Sequence, residues 1–293
     1  MIQVTGGVGV LWADFGHHPQ RLDWQLDAVG VRNLAVSLIA AGGRHIDELN
    51  PCADVRLGDG IRVHAVLPPA CATGAAISIR LARVVPLSFD DLEAAGFCTP
   101  STAATLRKAV LQRRNLLIVG GTASGKTTAL TALLDLVPHH ERVVTIEDVA
   151  ELRLQHPHWV SLEARQANTE GAGELSLDRL LREALRMRPD RVVLGECRGA
   201  ELLTLLTALN TGHDGGAGTL HANGLSEVPA RLEALGLMGG LGVDALARQV
   251  YSALHLVVHL ERTPGGRHRV AGLGRFMLID GALEVEVVPC VVP

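Results

Sequence analysis

The stretch LLIVGGTASGKTTALTALLDLVP, residues 116–138, is the feature that most constrains what this chain can fold into. Four apolar residues, Leu116 to Val119, lead into paired glycines, as a short buried strand would. The apolar-rich segment after Lys126 suits a helix, and Pro138 stops it. Between them, Gly120 to Thr127 match G-x-x-x-x-G-K-[ST] in full. Gly120 and Gly125 let the backbone curl where a side chain would obstruct it, so that successive N–H groups point inward as an anion nest. The helix that follows adds its positive end. Lys126 can reach the β and γ phosphates, and the Thr127 hydroxyl can ligate Mg²⁺. The glycine spacing does not suit a dinucleotide turn, which needs G-x-G-x-x-G.

Around this loop the sequence alternates strand and helix. RVVTIED reads as a strand that ends in acid. LSLDRLLREALRM has apolar residues at Leu177, Leu180, Leu181 and Ala184, a helical period halted by Pro189. RVVLGE is another strand ending in acid, ELLTLLTALN a helix, AGTLHAN a strand and SEVPARLEALGLM a helix. LHLVVHLER and RFMLID read as edge strands. Alternating β and α units with acids and glycines at strand ends predict a mostly parallel sheet covered by helices. Upstream, Thr99-Pro100 opens a helix running to about Arg114. Nearer the start, FGHHPQ suggests a loop, and Val31 to Ala41 a short helix ending at Gly42-Gly43. DVRL and RVHAVL around Gly58-Asp59-Gly60 suggest a hairpin, and AAISIRL a further strand. The expected organisation is a small α+β domain over residues 1–84, a linker over 85–100 and an α/β domain over 101–293.

Composition narrows the function classes. A net charge of −4 argues against a dedicated nucleic-acid coat. Only Lys108 and Lys126 are lysines, so the loop lysine is one of two. The five cysteines, Cys52, Cys71, Cys98, Cys197 and Cys290, show no zinc or redox spacing, which fits a reducing, cytoplasmic setting. No secretory leader pattern and no run of eighteen apolar residues is visible.

Holding a triphosphate is not hydrolysing it. Hydrolysis needs a metal, a water and a group that orients or deprotonates that water. Glu196, closing VVLGE, is placed to polarise such a water, with Gly195 where an Asp often sits. Glu147, Asp148 and Glu151 in TIEDVAEL are candidates for placing the nucleophile or holding magnesium; Asp148 and Glu196 join Thr127 as possible metal partners. His221 in GTLHAN could sense the terminal phosphate or link to a neighbouring subunit, although a lone histidine is more often structural. Arg153, Arg165, Arg188 and Arg198 could answer the phosphate charge, and the sequence does not choose among them.

Taken in order, GGTASGKTT, TIEDVAELRL, LLREALRMRPDRVVLGECRG and ALNTGHDGGAGTLHAN resemble the secretion ATPases of the type II/type IV superfamily, which includes the VirB11-like proteins. The nearest branch by these motifs is the CpaF/TadA group of Flp (Tad) pilus assembly. The resemblance covers about residues 31–260 and is most specific from Gly120 to Asn223. It implies a RecA-like P-loop NTPase motor with a small N-terminal α+β domain, using ATP and Mg²⁺. It also implies a homo-oligomeric ring, usually a hexamer, working with an inner-membrane platform protein from the cytoplasmic face. Carried over residue by residue, Gly120, Gly121, Thr122, Ala123, Ser124, Gly125, Lys126, Thr127 and Thr128 form the Walker A loop. Glu147, Asp148 and Glu151 fall in the family's acidic box, Glu196 is the Walker B glutamate and His221 the histidine of the His box. Arg80 matches an N-domain arginine that approaches the nucleotide, and Arg153 and Arg165 fall where arginines lie near phosphates or a subunit interface. Ala123 departs from the family's usual GGTGSGKT, and its methyl would be costly if that position needs a positive φ. Two alternatives stand beside this reading: a RecA-like ATPase acting on DNA in conjugation or packaging, and a nucleotide-binding ring component with weak hydrolysis.

Overall fold

The computed structural model describes residues 1–15, 18–58, 60–81, 86–165 and 173–288. Three features of the sequence, part of the FGHHPQ loop, the central Asp59 of the hairpin turn and Cys290, lie outside the described residues. The chain divides into two compact units, Met1–Val85 and Pro86–Pro293.

The first unit is a six-stranded sheet with one helix. Its elements are β1 (Ile2–Thr5), β2 (Val8–Ala13), β3 (Gln20–Asp27), α1 (Ala28–Ala41), β4 (Cys52–Leu57), β5 (Ile61–Val66) and β6 (Ala76–Arg80), with strand order β3-β2-β1-β6-β5-β4. Every pairing is antiparallel. Asp27 caps α1 by accepting from the Gly30 N–H. Val31, Ala35 and Ile39 on α1 then pack on Ile2, Val4, Val55, Val63 and Ile77, the inward set of the alternating strands. Arg80 ends β6 opposite Arg62 of β5. The hairpin, the helix and the last strand lie where the sequence pattern puts them; β1 to β3 are additional.

The second unit opens with α2 (Phe89–Ala94), α3 (Pro100–Leu111), β7 (Leu116–Gly120), α4 (Lys126–Leu134), β8 (Val143–Glu147) and β9 (Trp159–Glu163). It continues with α5 (Leu177–Arg186), β10 (Arg191–Leu194), α6 (Glu201–Asn210) and β11 (Ala217–His221). After a single 3-10 turn come α7 (Val228–Met238), α8 (Val243–Ala253), β12 (Leu256–Arg262), β13 (His268–Ile279) and β14 (Ala282–Val288). The strand order is β14-β13-β12-β7-β11-β10-β8-β9. The six strands from β12 to β9 run parallel, and β13 and β14 are antiparallel additions. In β7, Leu116 and Ile118 face the core that holds α2, α3 and α4, while Leu117 and Val119 face the one that holds α5 to α8. A strand covered on both faces needs an unbroken apolar run, and β7 has one.

Two details differ from the sequence-based expectation. Neither LHLVVHLER nor RFMLID is at the edge: β12 lies beside β7, with Val257, Val258 and Leu260 buried, β13 lies between β12 and β14, and β14 forms the edge instead. Within the stretch expected as a linker, Ser88 makes a capping box with Asp91 that starts α2, and Phe89, Leu92 and Phe97 bury in the core of the second unit.

Asn115, fully buried just before β7, ties the base of the sheet together. Its Oδ1 accepts from the N–H groups of Gly215 and Gly216 at 2.6 and 3.0 Å, and its Nδ2 donates to Ala253 O at 2.6 Å. A buried side-chain amide is stable only when its donors and acceptors are met in this way. Two segments, at Gly215-Gly216 and at Ala253, are thereby set in register with the strand that carries the loop. Among the described residues, no helix is long and apolar enough to cross a membrane.

Candidate phosphate site at the carboxyl ends of the parallel strands

The loop from Gly120 to Gly125 joins β7 to α4 at the carboxyl edge of the parallel sheet, where open α/β sheets place ligands. Gly120 is closely confined. A Cβ there would meet Ser124 Oγ at 2.3 Å and Leu260 O at 2.6 Å. Gly125, the N-cap of α4, has φ 94°, a value that glycine alone takes without strain. Ala123 has φ 57°, so the position where the family usually has glycine does require the left-handed conformation.

Lys126 folds back over the loop. Its Nζ donates to Gly120 O at 2.7 Å and to Gly121 O at 2.8 Å. Burial holds its ammonium below the ordinary lysine range, with Glu196 opposing that shift and Arg198 adding to it. Ser124 Oγ is buried without a hydrogen-bond partner among the described residues. An unpartnered hydroxyl, a lysine resting on carbonyl oxygens and a cradle too tight for a Cβ fit a loop that closes around an anion. Thr127 and Thr128 lie in the first turn of α4, half-buried and exposed respectively, and Thr122 is exposed on the loop.

The strand order brings three of the predicted segments to one side of this loop. His221 at the end of β11 pairs directly with Gly120, and its ring is half-buried. Glu196 follows β10, one strand further, and Glu147 ends β8 beyond it. Arg198 Nη2 donates to Glu196 Oε2 at 2.5 Å, and its Nη1 lies 3.5 Å from Asp148 Oδ2. Both carboxylates assigned to the metal on sequence grounds are thus engaged by one guanidinium. The contact with Glu196 is also the main cause that raises the Arg198 pKa.

Glu147 is placed differently from its neighbours. It is buried, and its Oε1 accepts from the N–H groups of Glu151 and Leu152 at 3.0 and 3.1 Å. Burial pushes its carboxyl up to about 7 against those hydrogen bonds, with Glu151 and Glu163 adding to the rise. Its stem also accounts for Gly195: a Cβ on that glycine would come within 2.6 Å of Glu147 Cγ, which leaves no room for an Asp. Glu151 is half-exposed on the segment that Glu147 secures.

Of the four arginines left open by the sequence, Arg198 reaches the acids. Arg165 forms an isolated antiparallel bridge with Leu175, and its Nε donates to Gly173 O at 2.7 Å. Arg188 is exposed beyond α5, and Arg153 is half-exposed between buried Leu152 and Leu154. Arg80 belongs to the first unit. Sequence reasoning did not single out Asn223 or His268. Asn223 Oδ1 lies 3.4 Å from where a Cβ on Gly121 would stand. No group of three or more His, Cys, Asp or Glu side chains among the described residues could hold a metal ion alone. A divalent ion here would need phosphate oxygens among its ligands, the usual arrangement for Mg²⁺.

A Mycobacterium tuberculosis protein named for conjugal transfer is 45% identical over 285 residues, covering 95% of this chain and 81% of its own length. The VirB11 ATPase of the Brucella suis type IV secretion system, solved with sulphate, is 26% identical with a TM-score of 0.53, covering 91% of this chain and 89% of that one. The pilus retraction motor PilT, solved with ADP, shares the fold at 20% identity and a TM-score of 0.59, covering 96% of this chain and 79% of that one. The second unit therefore has the RecA-like P-loop fold that the motifs implied. A family model described as "Type II/IV secretion system protein" matches residues 21–273, and the chain belongs to that family.

Proposed function

We propose that this chain is an ATP hydrolase that powers a type II/IV-type secretion or pilus-assembly apparatus. The observation that carries the reading is the Gly120–Thr127 loop with Lys126 folded over it, facing Glu196 across the carboxyl edge of the sheet. The N–H groups of the loop and the start of α4 hold the phosphates, and Lys126 exchanges its two carbonyl contacts for phosphate oxygens. Thr127 is the side chain that would hold Mg²⁺ directly, with Asp148 and Glu196 reaching it through water while Arg198 stays bridged between them. When bound, the ion supplies charge neutralisation on the phosphate oxygens. Glu196 accepts a proton from the attacking water, and His221, next to Gly120, responds to the terminal phosphate. Glu147 shapes the segment that presents Asp148 and Glu151 rather than touching the nucleotide, which its burial and backbone contacts support.

Family membership and the likeness to the VirB11 ATPase support a motor, and our reading is that it works as a homo-oligomeric ring, a hexamer. Arg153 and Arg165 are the residues through which a neighbouring subunit would answer the nucleotide. The partner would be a platform protein at the cytoplasmic face of the inner membrane. Within the family we favour the Flp (Tad) pilus branch, on the motif run from Gly120 to Asn223. The relative named for conjugal transfer supports a second reading, export through a type IV secretion apparatus. Phosphate release from MgATP tests the activity. Lys126→Ala is expected to abolish it in a chain whose circular dichroism is unchanged, and near-normal turnover would sink the assignment. The membrane protein that co-purifies with the intact chain separates the pilus reading from the conjugal one.

A further inference from the structure

The strands bearing the acids all lie on one side of β7. On its other side, β12 pairs with β7 so that Leu260 stands opposite Gly120, and β13 pairs with β12 so that His268 stands opposite Arg262. His268 is therefore two residues beyond the level of Gly120, roughly 7 Å past the carboxyl edge of the sheet. It is exposed, yet its ring closes on the loop: Nδ1 lies 3.3 Å and Cγ 3.5 Å from where a Cβ on Gly125 would stand. The phosphate loop thus has two flanks, with His221 and Asn223 on the side of the acids and His268 on the other.

A nucleotide is a long ligand with unlike ends. If its terminal phosphate faces Glu196, its nucleoside must leave toward the opposite flank, and the ring that the fold presents there is His268. Only 3% of the chain is Phe, Trp or Tyr, so flat surfaces for a base are scarce. We infer that His268 is a nucleotide-binding residue whose imidazole packs on the base, supplied by the β12–β13 hairpin rather than by the motif-bearing segments. The inference rests on the proposed ATP site and goes beyond it by assigning the nucleoside end.

The test compares two ligands, MgADP and inorganic tripolyphosphate, by titration calorimetry on the wild-type chain, His268→Ala and His268→Phe. Loss of base stacking is expected to weaken MgADP binding to His268→Ala by about fivefold to fiftyfold. Tripolyphosphate affinity should be unchanged, and His268→Phe should keep the affinity for MgADP. Equal weakening of both ligands in His268→Ala would mean that the ring only supports the loop and would overturn the inference, as would no change in either. A wild-type chain that binds neither would overturn the site itself and this inference with it.

Discussion

Arg198 holds Glu196 by a 2.5 Å contact from Nη2 to Oε2, while its other terminal nitrogen lies 3.5 Å from Asp148. One guanidinium therefore spans the acids that follow two neighbouring strands, β10 and β8. Its backbone is fixed as well, because the Arg198 and Gly199 N–H groups both donate to Glu201 Oε1 at 2.7 Å. The side chain remains more than half exposed, so the pair adds little to stability, and its value lies in orientation.

Arg198→Ala is accordingly expected to leave the melting temperature and the affinity for ADP nearly unchanged. Turnover should fall by about tenfold or more, since Glu196 loses the partner that fixes its rotamer. Steady-state kinetics resolve the point: the loss should appear in kcat, with KM little altered. A rise in turnover would instead identify the contact as a restraint on Glu196, and would overturn the positioning role.

Much of this arrangement is legible in the amino-acid sequence. The Leu116–Val119 run, the glycine spacing and the acids at strand ends are local signals, and each reflects a local physical need. Some elements that the sequence patterns did not single out are local too. In α8, Leu246, Ala247, Val250 and Ala253 follow a helical period and are all buried. In β3, residues 21–27, RLDWQLD, alternate, with Leu22, Trp24 and Leu26 on the less exposed side. Other features cannot be read from chain order. Asn115 contacts residues 100 and 138 positions away, and His268 meets Gly125 only because β12 lies beside β7. The need for glycine at 195 comes from the stem of Glu147 on a neighbouring strand.

Glu147 gives the site a pH signature. Its carboxyl is raised from an ordinary 4.5 to about 7, mainly by burial. The native chain therefore keeps this proton over a range in which the unfolded chain has lost it. Stability contributed by this group falls as pH rises from about 4.5 to 7, and the full penalty persists above that range. The size is on the order of 3 kcal/mol. Glu147→Gln cannot ionise, so urea denaturation between pH 5 and 8 should give a curve that gains on the wild type as pH rises. Parallel curves for the two proteins would show that Glu147 ionises normally in the fold.

Ala123 yields the last prediction, because it brings a side chain to a backbone conformation that disfavours one. At φ 57° an L-residue with a Cβ is strained by about 1–2 kcal/mol relative to its ordinary conformations. Glycine would relieve that strain, but it would also enlarge the freedom of the unfolded chain, at a cost of about 0.4–1 kcal/mol. The methyl is on an exposed residue, so little packing is lost with it. Ala123→Gly should therefore stabilise the protein, by up to about 1.5 kcal/mol in urea denaturation. The loop keeps its path in the variant, so ADP affinity should stay within about threefold of wild type, a difference below about 0.7 kcal/mol. Destabilisation by glycine would mean that the loop does not hold position 123 in the left-handed region, and the anion cradle built around Gly120 and Gly125 would then need a different backbone.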